Sequence, residues 1–378
     1  MDNFELVFPT RIVFGRGRFE QLGELARNLG QKVLLVTDGN AVPVEKIEKK
    51  LTDAGMTVVR YTNIRPNPTI ESVEEGCELF QETGCDCVVG LGGGSTLDAS
   101  KAIAFSAYNG IGIRTLLDDA ELGSGTFPML LVPTTAGTGS EANSSAVLSD
   151  HTTGQKRALR SQKCFARIAL VDPELMATAP ARVIATTVFD AFCHNMEAYL
   201  SSTSNAFVRC VALEAISRVW PAMRRVVACH QDMEAWEDAA FTSTMGGIVI
   251  QQSGCILAHG MANTTGGMFD VAHGLALAAI VPHVLPVLME APRELTTPLA
   301  HAMGLQTEEE IIPAVLEQLQ YAGIRVSLGD MGVNYADAPA LARNTLLCYG
   351  GNVAHSPRVL KEDELCQVFE RAIVGGME

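Results

Sequence analysis

Basic residues are scarce in this sequence: 28 Lys and Arg stand against 43 Asp and Glu, a formal net charge of −15. Nucleic-acid binding needs clustered basic side chains that neutralise phosphates, so we expect no nucleic-acid partner. Charged residues of both signs make up only 19% and hydrophobic residues 47%, a composition typical of a well-packed globular protein. A chain of 378 residues is long enough for roughly two or three domains.

The sequence also lacks the cysteine spacings of disulfide frameworks and zinc ribbons. Its 10 cysteines are scattered, with no CxxC pair, which in a chain of this size indicates reduced thiols in a cytosol. Cys85 and Cys87 alternate within an apolar run, so we expect both to pack in a core. The first residues, MDNFELVFPTRIVFGRG, show no signal-peptide pattern. We therefore expect a cytoplasmic protein.

One uncharged run, Ala239 to Phe269, exceeds the ~20 residues of a membrane span. It contains Gln251, Gln252, His259 and Asn263, together with several Gly, Ser and Thr residues. These polar residues favour a pair of buried helices around a polar site over a membrane span. We therefore expect no membrane partner.

Short apolar runs alternate with amphipathic ones in the first half of the chain. Strands are predicted at 32–38, 57–61, 85–95 (running into a glycine loop) and 129–135, and helices at 44–55, 71–84 and 96–109. This alternation is typical of a parallel α/β sheet. After about residue 180, helical periodicity takes over. The pattern predicts an α/β domain over 1–179 and an all-helical domain over 180–378, with a cleft between them.

Two loops of small residues follow predicted strands. GLGGGSTLDASK (90–101) contains Gly92, Gly93, Gly94 and Ser95 between a strand and a helix, where backbone N–H groups and a helix N-terminus favour a diphosphate. A tight turn without a ligand is the alternative for this loop alone, since it is not a GxGxxG fingerprint. A second loop of small residues, PTTAGTGSEANSSA (133–146), follows another predicted strand of the same domain. Two such loops support the interpretation that the first one binds a diphosphate.

Asp38 is the last residue of the predicted strand at 32–38. An acidic residue there accepts from a ribose 2′-hydroxyl and repels a 2′-phosphate, which favours NAD over NADP. A helix cap is the alternative role for Asp38.

Four side chains have the chemistry of metal ligands. Asp190 and His194 are four residues apart, so a helix places them on one face. His259 and His273 lie 14 residues apart, and we expect a break at Thr264–Gly267 to fold them together. One carboxylate and three imidazoles hold a divalent metal and leave a position for substrate. A single histidine on an apolar face is usually a core residue. Here three histidines and one aspartate occur together, which favours a metal site.

Glu197 shares the predicted helical face of Asp190 and His194, at offsets of seven and three residues. We expect it to lie next to the ligands and orient one of them.

These segments resemble the iron-dependent, group III alcohol dehydrogenases along nearly the whole chain. The resemblance rests on FPTRIVFGRG, PNPTIESV, GLGGGSTLDASKAIA, PTTAGTGSEA, VDPEL, FDAFCHNMEAYLS and HGMANTTGGMFDVAHGLALAAIVP. It implies a dehydroquinate synthase-like architecture, an α/β dinucleotide-binding domain followed by an all-α metal-binding domain, and a homodimer or larger homo-oligomer. It also implies NAD(H) and a divalent metal, with Fe²⁺ favoured and Zn²⁺ compatible with the same ligands.

The resemblance assigns roles to residues of this chain. The metal ligands it implies are Asp190, His194, His259 and His273, of which His259 and His273 are also counted with Asn263 as catalytic. The positions it implies for the dinucleotide are Asp38, Asn67, Gly92, Gly93, Gly94, Ser95, Asp98, Thr134, Thr135, Thr138, Ser140 and Lys156.

The chain departs from many members of this family at Asn263. A histidine usually follows the first ligand of the HGMA segment by four residues, beside the reacting alcohol, and helps to relay its proton. Asn263 can orient a hydroxyl group or a water but cannot titrate, so either the proton leaves by another route or the substrate is not a simple alcohol. The segment CYGGNVAHSPR (348–358) is also unusual for the family.

The expected function is reversible hydride transfer between a small primary alcohol or diol and NAD, with the metal as Lewis acid. Alternatives are a reductase of a functionalised aldehyde, such as a sulfonate or phosphonate analogue, or a glycerol-dehydrogenase-like zinc enzyme. An anionic substrate predicts an extra Arg or Lys near the cleft. A non-catalytic oligomerisation or sensor module is a further alternative, which the intact set of ligands disfavours.

Overall fold

A parallel sheet occupies the first half of the protein in a computed structural model that describes residues 3–375. The strands of the described chain are β1 (Arg11–Phe14), β2 (Lys32–Thr37), β3 (Thr57–Tyr61), β4 (Cys87–Gly92), β5 (Met129–Pro133), β6 (Ser145–Asp150), β7 (Gln155–Arg160) and β8 (Ile168–Val171). Six of them form the sheet in the order β1-β8-β5-β4-β2-β3, and all of their pairings are parallel. The loops after β2, β4 and β5 therefore emerge side by side at the carboxyl edge.

Helices cover both faces of this sheet. The helices of this half are α1 (Leu22–Ala26), α2 (Val44–Asp53), α3 (Ile70–Thr83), α4 (Gly94–Asn109), α5 (Ile113–Asp118) and α6 (Pro173–Met176). Along β2 the side chains alternate: Leu34 and Val36 join the apolar core beneath α3 and α4, while Val33 and Leu35 join the core beneath α1 and α2. Burial on both faces explains why this strand is a continuous apolar run.

The second half is helical. Its helices are α7 (Ala181–Leu200), α8 (Ala206–Ala228), α9 (Met233–Ser253), α10 (Leu257–Phe269), α11 (His273–Leu288), α12 (Arg293–Ala302), α13 (Ile311–Tyr321), α14 (Ala338–Ala354) and α15 (Glu362–Val374). They enclose the largest apolar core. The predicted order of an α/β part followed by an all-helical part is confirmed. The boundary between 1–179 and 180–378 stays a prediction.

The uncharged run from Ala239 to Phe269 is divided between α9 and α10, which join at Gly254 with φ 70°. In the described part of the chain, no helix is long and apolar enough to cross a bilayer.

Four strands were not predicted. The hairpin of β6 and β7 is antiparallel and lies beside α4, α5 and α10, and its sequences SAVLSD and QKRALR mix polar and apolar residues without a clear period. The other two, β1 and β8, are four residues each, too short for a periodic signal. The hairpin matters for the site because Lys156 lies on β7.

Candidate metal and dinucleotide site

A cavity of about 1420 Å³ opens between the carboxyl edge of the sheet and the helical half. The loops after β2, β4 and β5 line one side, and residues of α7, α10 and α14 line the other. The candidate cofactor residues on the sheet side that line it are Asp38, Asn67, Gly93, Gly94, Ser95, Asp98, Thr134, Thr135, Thr138, Ser140 and Lys156. One cavity therefore holds both sets of predicted residues.

The first glycine loop places the N-terminus of α4 at this cavity. Gly93 is the N-cap and has no side-chain cap, so the first N–H groups of a 16-residue helix stay available for an anion. A Cβ on Gly94 would collide with Thr138 of the second loop. Gly92 differs from the other candidates: it is absent from the lining, and a Cβ there would collide with Thr96, so its role is packing.

Asp98 holds the two glycine loops together. Its carboxylate accepts from Ser140 Oγ at 2.5 Å and from the Val147 backbone N–H at 2.9 Å. The ammonium of Lys101, fully buried, lies 3.3 Å from the same carboxylate and donates to the carbonyls of Ser140 and Ser145. Because both oxygens of Asp98 are occupied, its evident contribution is to shape the second loop.

Asp38 lies directly after β2, half-buried at the cavity wall. Its Oδ1 accepts from the Asn40 backbone N–H at 3.0 Å, an Asx turn rather than a helix cap, since α2 begins only at Val44. The second carboxylate oxygen is left for a ligand in the cavity.

Lys156 reaches from β7 into the interface between the two halves. Its Nζ donates to Asn67 Oδ1 at 2.7 Å, and Asn67 Nδ2 donates to Asp270 Oδ1 at 2.7 Å. Burial lowers the pKa of Lys156 to about 8, although Asp270 and Asp98 oppose the shift. A cation of reduced basicity therefore lies at the cavity wall.

The four predicted metal ligands converge on Asp190. From its Oδ1, the distance is 3.3 Å to His259 Nε2, 3.6 Å to His273 Nε2 and 3.7 Å to His194 Nδ1. The His194 and His259 rings stack with centroids 4.3 Å apart. Asp190 and His194 share one face of α7, as predicted from their spacing.

The break that brings His273 to His259 was wrongly predicted. It was placed at Thr264–Gly267, but α10 continues to Phe269 and ends at Asp270, which adopts a left-handed conformation with φ 52°. Asp tolerates this region better than most residues. Three residues then suffice to reverse the chain, and His273 becomes the first residue of α11. The glycines at 266 and 267 instead make room for β7: a Cβ on either would collide with Lys156.

Glu197 fixes the ring of His259, as its position on the same face of α7 predicted. Its Oε2 lies 2.7 Å from His259 Nδ1, and its oxygens also accept from the backbone N–H groups of Ile256 and Ala258 at 2.9 and 2.7 Å. Because the Glu197 oxygens accept these hydrogen bonds, His259 Nδ1 carries a hydrogen and Nε2 is the ring nitrogen available to a metal.

The donors fit a divalent cation. Burial alone would raise the pKa of Asp190, but the surrounding His194, His259 and His273 lower it well below its ordinary value. Burial lowers the pKa of His273 to about 3 against the opposing charge of Asp190, which keeps its imidazole neutral and able to donate a lone pair. Burial would lower the pKa values of His194 and His259, but Asp190 raises the first, and Cys255 and Glu197 raise the second. A divalent cation would take the place of the protons that these shifts favour, beside the buried Asp190 carboxylate.

Several cavity residues were missed by the sequence analysis. Cys255 lines the cavity beside His194 and His259. Burial would raise its pKa, but the two histidines outweigh burial and lower it to about 7. Asn352 and His355, in the unusual segment 348–358, also line the cavity, and so does Asn263, which the sequence analysis had named. No periodic spacing marks Cys255, since it lies in the turn between α9 and α10.

Two family models together match most of the chain. The model described as iron-containing alcohol dehydrogenase covers residues 9–173, and that of the C-terminal part of the Fe-containing alcohol dehydrogenase family covers residues 184–373. The chain belongs to the iron-containing alcohol dehydrogenase family. This confirms the resemblance read from its motifs.

Individual members of the iron-containing alcohol dehydrogenase family are similar over nearly the full length. The chain is 33% identical to a 1,3-propanediol dehydrogenase of Citrobacter freundii, across 98% of both proteins. It is 32% identical to a lactaldehyde reductase of Escherichia coli K12, across 95% of this chain and 97% of that one. A solved 1,3-propanediol oxidoreductase has a TM-score of 0.88 at 31% identity, covering 98% of this chain and 100% of that one.

Family membership confirms three predictions. The protein is an oxidoreductase of the NAD-dependent alcohol dehydrogenase class, with NAD(H) and a divalent metal as its cofactors. The α/β and all-helical architecture is the fold of its structural neighbours. The roles of single residues remain proposals that rest on geometry.

Proposed function

We propose that this protein reversibly transfers a hydride between a small primary alcohol or diol and NAD, with its metal held by Asp190, His194, His259 and His273. The observation that supports this is the shared cavity: the four ligands and the N-terminus of α4 line the same space. A dinucleotide whose diphosphate lies at Gly93–Ser95 has room within about 1420 Å³ to reach the ligands. The metal supplies Lewis-acid polarisation of a substrate oxygen, and the nicotinamide ring accepts or returns the hydride.

The residues of the chain bind and orient the reactants. Asp190 contributes the one negative charge among the four ligands, and Glu197 holds His259 in the tautomer that presents Nε2. Asn263, one turn after His259 on α10, presents an amide that can donate to or accept from a substrate hydroxyl group. Since it cannot titrate, we propose that the alcohol proton leaves through water in the cavity.

The cavity wall supports a neutral, hydroxyl-bearing substrate. From the helical half the cavity receives polar but uncharged groups, among them Gln251, Asn263 and Asn352. Within the described part of the chain, the Arg and Lys residues that line the cavity all come from the α/β half. They are Arg65, Lys156, Arg160 and Lys163. This arrangement favours a small alcohol or diol, and relatives that act on 1,3-propanediol and lactaldehyde support the same class.

The alternatives remain weaker proposals. A sulfonate or phosphonate aldehyde would have to pair with Lys156, whose charge acts on His273 but which already donates to Asn67, or reach Arg160 or Lys163. A glycerol-dehydrogenase-like zinc enzyme fits the same ligands, so Zn²⁺ is retained beside the favoured Fe²⁺. We also propose a homodimer or larger homo-oligomer, as the family resemblance implies, and a cytoplasmic location, as the free cysteines suggest.

The test is His259→Ala. Because His259 contacts Asp190 and donates a hydrogen bond to Glu197, its loss should remove bound metal and NADH-dependent aldehyde reduction together. Metal content by mass spectrometry and activity with a panel of short aldehydes under anaerobic Fe²⁺ or Zn²⁺ loading measure both. The matched control is His301→Ala, a histidine on the exposed side of α12, which should keep metal and activity. A metal-free His259→Ala protein with full activity would refute the metal role.

A further inference from the structure

We propose that Cys255 is an additional donor to the metal, which gives this chain a softer metal site than four oxygen and nitrogen ligands provide. The inference rests on the metal site of the proposed function. It concerns which atoms bind the metal and therefore which metal the site prefers.

The first support is proximity. The Cys255 sulfur and one ring nitrogen each of His194 and His259 all lie within 4.8 Å of one another. A second such triad consists of Asp190, His259 and His273. The two triads share His259, so the donors form one continuous cluster. A sulfur this close to donor atoms of two proposed ligands is placed to bind the same metal ion.

The second support is that the backbone fixes this position. The Cys255 carbonyl accepts from Asn352 Nδ2 at 3.0 Å, and the next backbone N–H, of Ile256, donates to Glu197 at 2.9 Å. Gly254, with φ 70°, makes the turn that leads into it. Cys255 is thus held between the residue that orients His259 and the unusual 348–358 segment. Cys255 also lines the cavity that the four proposed ligands line.

The chemistry predicts a shift in metal preference. Thiolate sulfur is a soft donor that selects Zn²⁺ in mixed nitrogen and sulfur sites, while carboxylate favours harder ions. On metal binding the thiol releases its proton to solvent and a metal–sulfur bond forms, with no change in oxidation state. Five protein donors would exceed the three that catalytic zinc sites usually have, so a bound metal would use only some of Asp190, His194, Cys255, His259 and His273 at one time.

The experiment uses the full-length protein loaded anaerobically with Zn²⁺ and, separately, with Co²⁺. X-ray absorption at the zinc edge should show one sulfur neighbour at about 2.3 Å, and the cobalt form should show thiolate-to-metal charge transfer in the near ultraviolet. Both signals should vanish in Cys255→Ser. The affinity for Zn²⁺, measured by chelator competition, should fall about tenfold, whereas the affinity for Fe²⁺ should change less.

The matched control is Cys348→Ser. Cys348 is also partly buried and lies on α14, but its sulfur contacts Asn344 Oδ1. This variant should keep the sulfur signal, the charge-transfer band and the affinity. Zinc bound with only nitrogen and oxygen neighbours in the unaltered protein would overturn the role of Cys255 while leaving the proposed function intact. A protein that bound no metal, or bound it independently of His259, would overturn the proposed function as well.

Discussion

At the scale of single residues, the Glu197 carboxylate both caps the start of α10 and orients the His259 ring. It accepts the first backbone N–H groups around the start of α10, and it accepts the Nδ1 hydrogen of His259. The charge therefore stabilises the positive end of the helix and selects the ring tautomer at once. A ligand on α10 and its support on α7 are positioned together.

Replacing Asp38 tests the coenzyme preference at this scale. Asp38→Gly removes the carboxylate that would bond a ribose hydroxyl and repel a 2′-phosphate, so the ratio of kcat/KM for NADH over NADPH should fall. A hydrogen bond to a charged group contributes about 1.5–3 kcal/mol, or roughly 10- to 100-fold. Steady-state kinetics with both coenzymes measure the ratio.

Asp38→Asn separates charge from loop geometry. The amide oxygen introduced by this substitution would still accept from the Asn40 N–H, but the uncharged side chain would not repel a phosphate, so the ratio should also fall. If both variants kept the original ratio, Asp38 would not lie at the ribose.

The sequence revealed residues whose spacing has a helical period. Asp190, His194 and Glu197 lie three, four and seven residues apart, and the structure places all three on one face of α7. The turn to His273 was predicted at Thr264–Gly267 because a run of Thr and Gly is a stronger turn signal in a sequence than a single Asp. In the structure the helix ends at Asp270, with φ 52°. Cys255 could not be found this way, since its neighbours in space, His194 and Asn352, are far from it along the chain.

At the scale of elements, the second glycine loop touches α9 backbone to backbone. A Cβ on Gly139 would collide with the carbonyl of Ser243 and with Gly247, and a Cβ on Gly247 would collide with the carbonyl of Gly139. Gly139 also has φ 58°, which glycine adopts at little cost. The loop that lines the dinucleotide cavity is thus seated directly on a helix of the other half.

Gly247→Ala should therefore destabilise the protein. The added methyl group forces α9 and the loop apart, and overpacking of this kind costs about 1–3 kcal/mol. Thermal or chemical unfolding followed by circular dichroism measures the change, and the KM for NADH should rise with it.

Gly350→Ala is the control. A Cβ there would meet no atom within 4 Å, and the residue lies beside the kink of α14 at Tyr349, so Ala should change stability by less than about 0.5 kcal/mol. Equal stability of both alanine variants would contradict the close contact between loop and helix.

Elements differed in how readily the sequence predicted them. The strands β2, β4 and β5 are buried on both faces and read as unbroken apolar runs, so they were predicted nearly to their ends. On β7, Lys156 and Arg160 line the cavity, whereas Arg157 pairs with Asp118 of α5 on the other face. Polar residues on both faces of the strand hide its period.

At the scale of the whole molecule, three side chains connect the halves across the cavity. Lys156 donates to Asn67, and Asn67 donates to Asp270. Tyr349 on α14 adds a further link, because its hydroxyl donates to the Lys156 carbonyl at 2.6 Å. These contacts add to the packing of the second glycine loop on α9 in holding the two halves together around the site.

Lys156 should make coenzyme binding depend on pH. Its pKa of about 8 lies below the 10.5 expected of the unfolded chain, so the folded protein loses this charge first as pH rises. Above about pH 8 the affinity for NADH should fall, by at most roughly 100-fold if one charged hydrogen bond is lost. Between about pH 8 and 10.5 the same group should make folding more favourable as pH rises, because the unfolded chain binds the extra proton.

Fluorescence titration of NADH between pH 7 and 9.5 measures this dependence. Lys156→Met should bind more weakly at pH 7 and show no change in affinity near pH 8. Constant affinity of the unaltered protein across this range would show that Lys156 does not act on the coenzyme through its charge.

The two left-handed residues at the interface have a consequence for protein engineering. Asn67 and Asp270, with φ 57° and 52°, face each other from different halves and are joined by a hydrogen bond. Other side chains would cost about 1–2 kcal/mol at each position, and most would also break the link to Lys156. Libraries that aim to change substrate range should therefore vary Gln251, Asn263 and Asn352 and confine positions 67 and 270 to Asn, Asp and Gly.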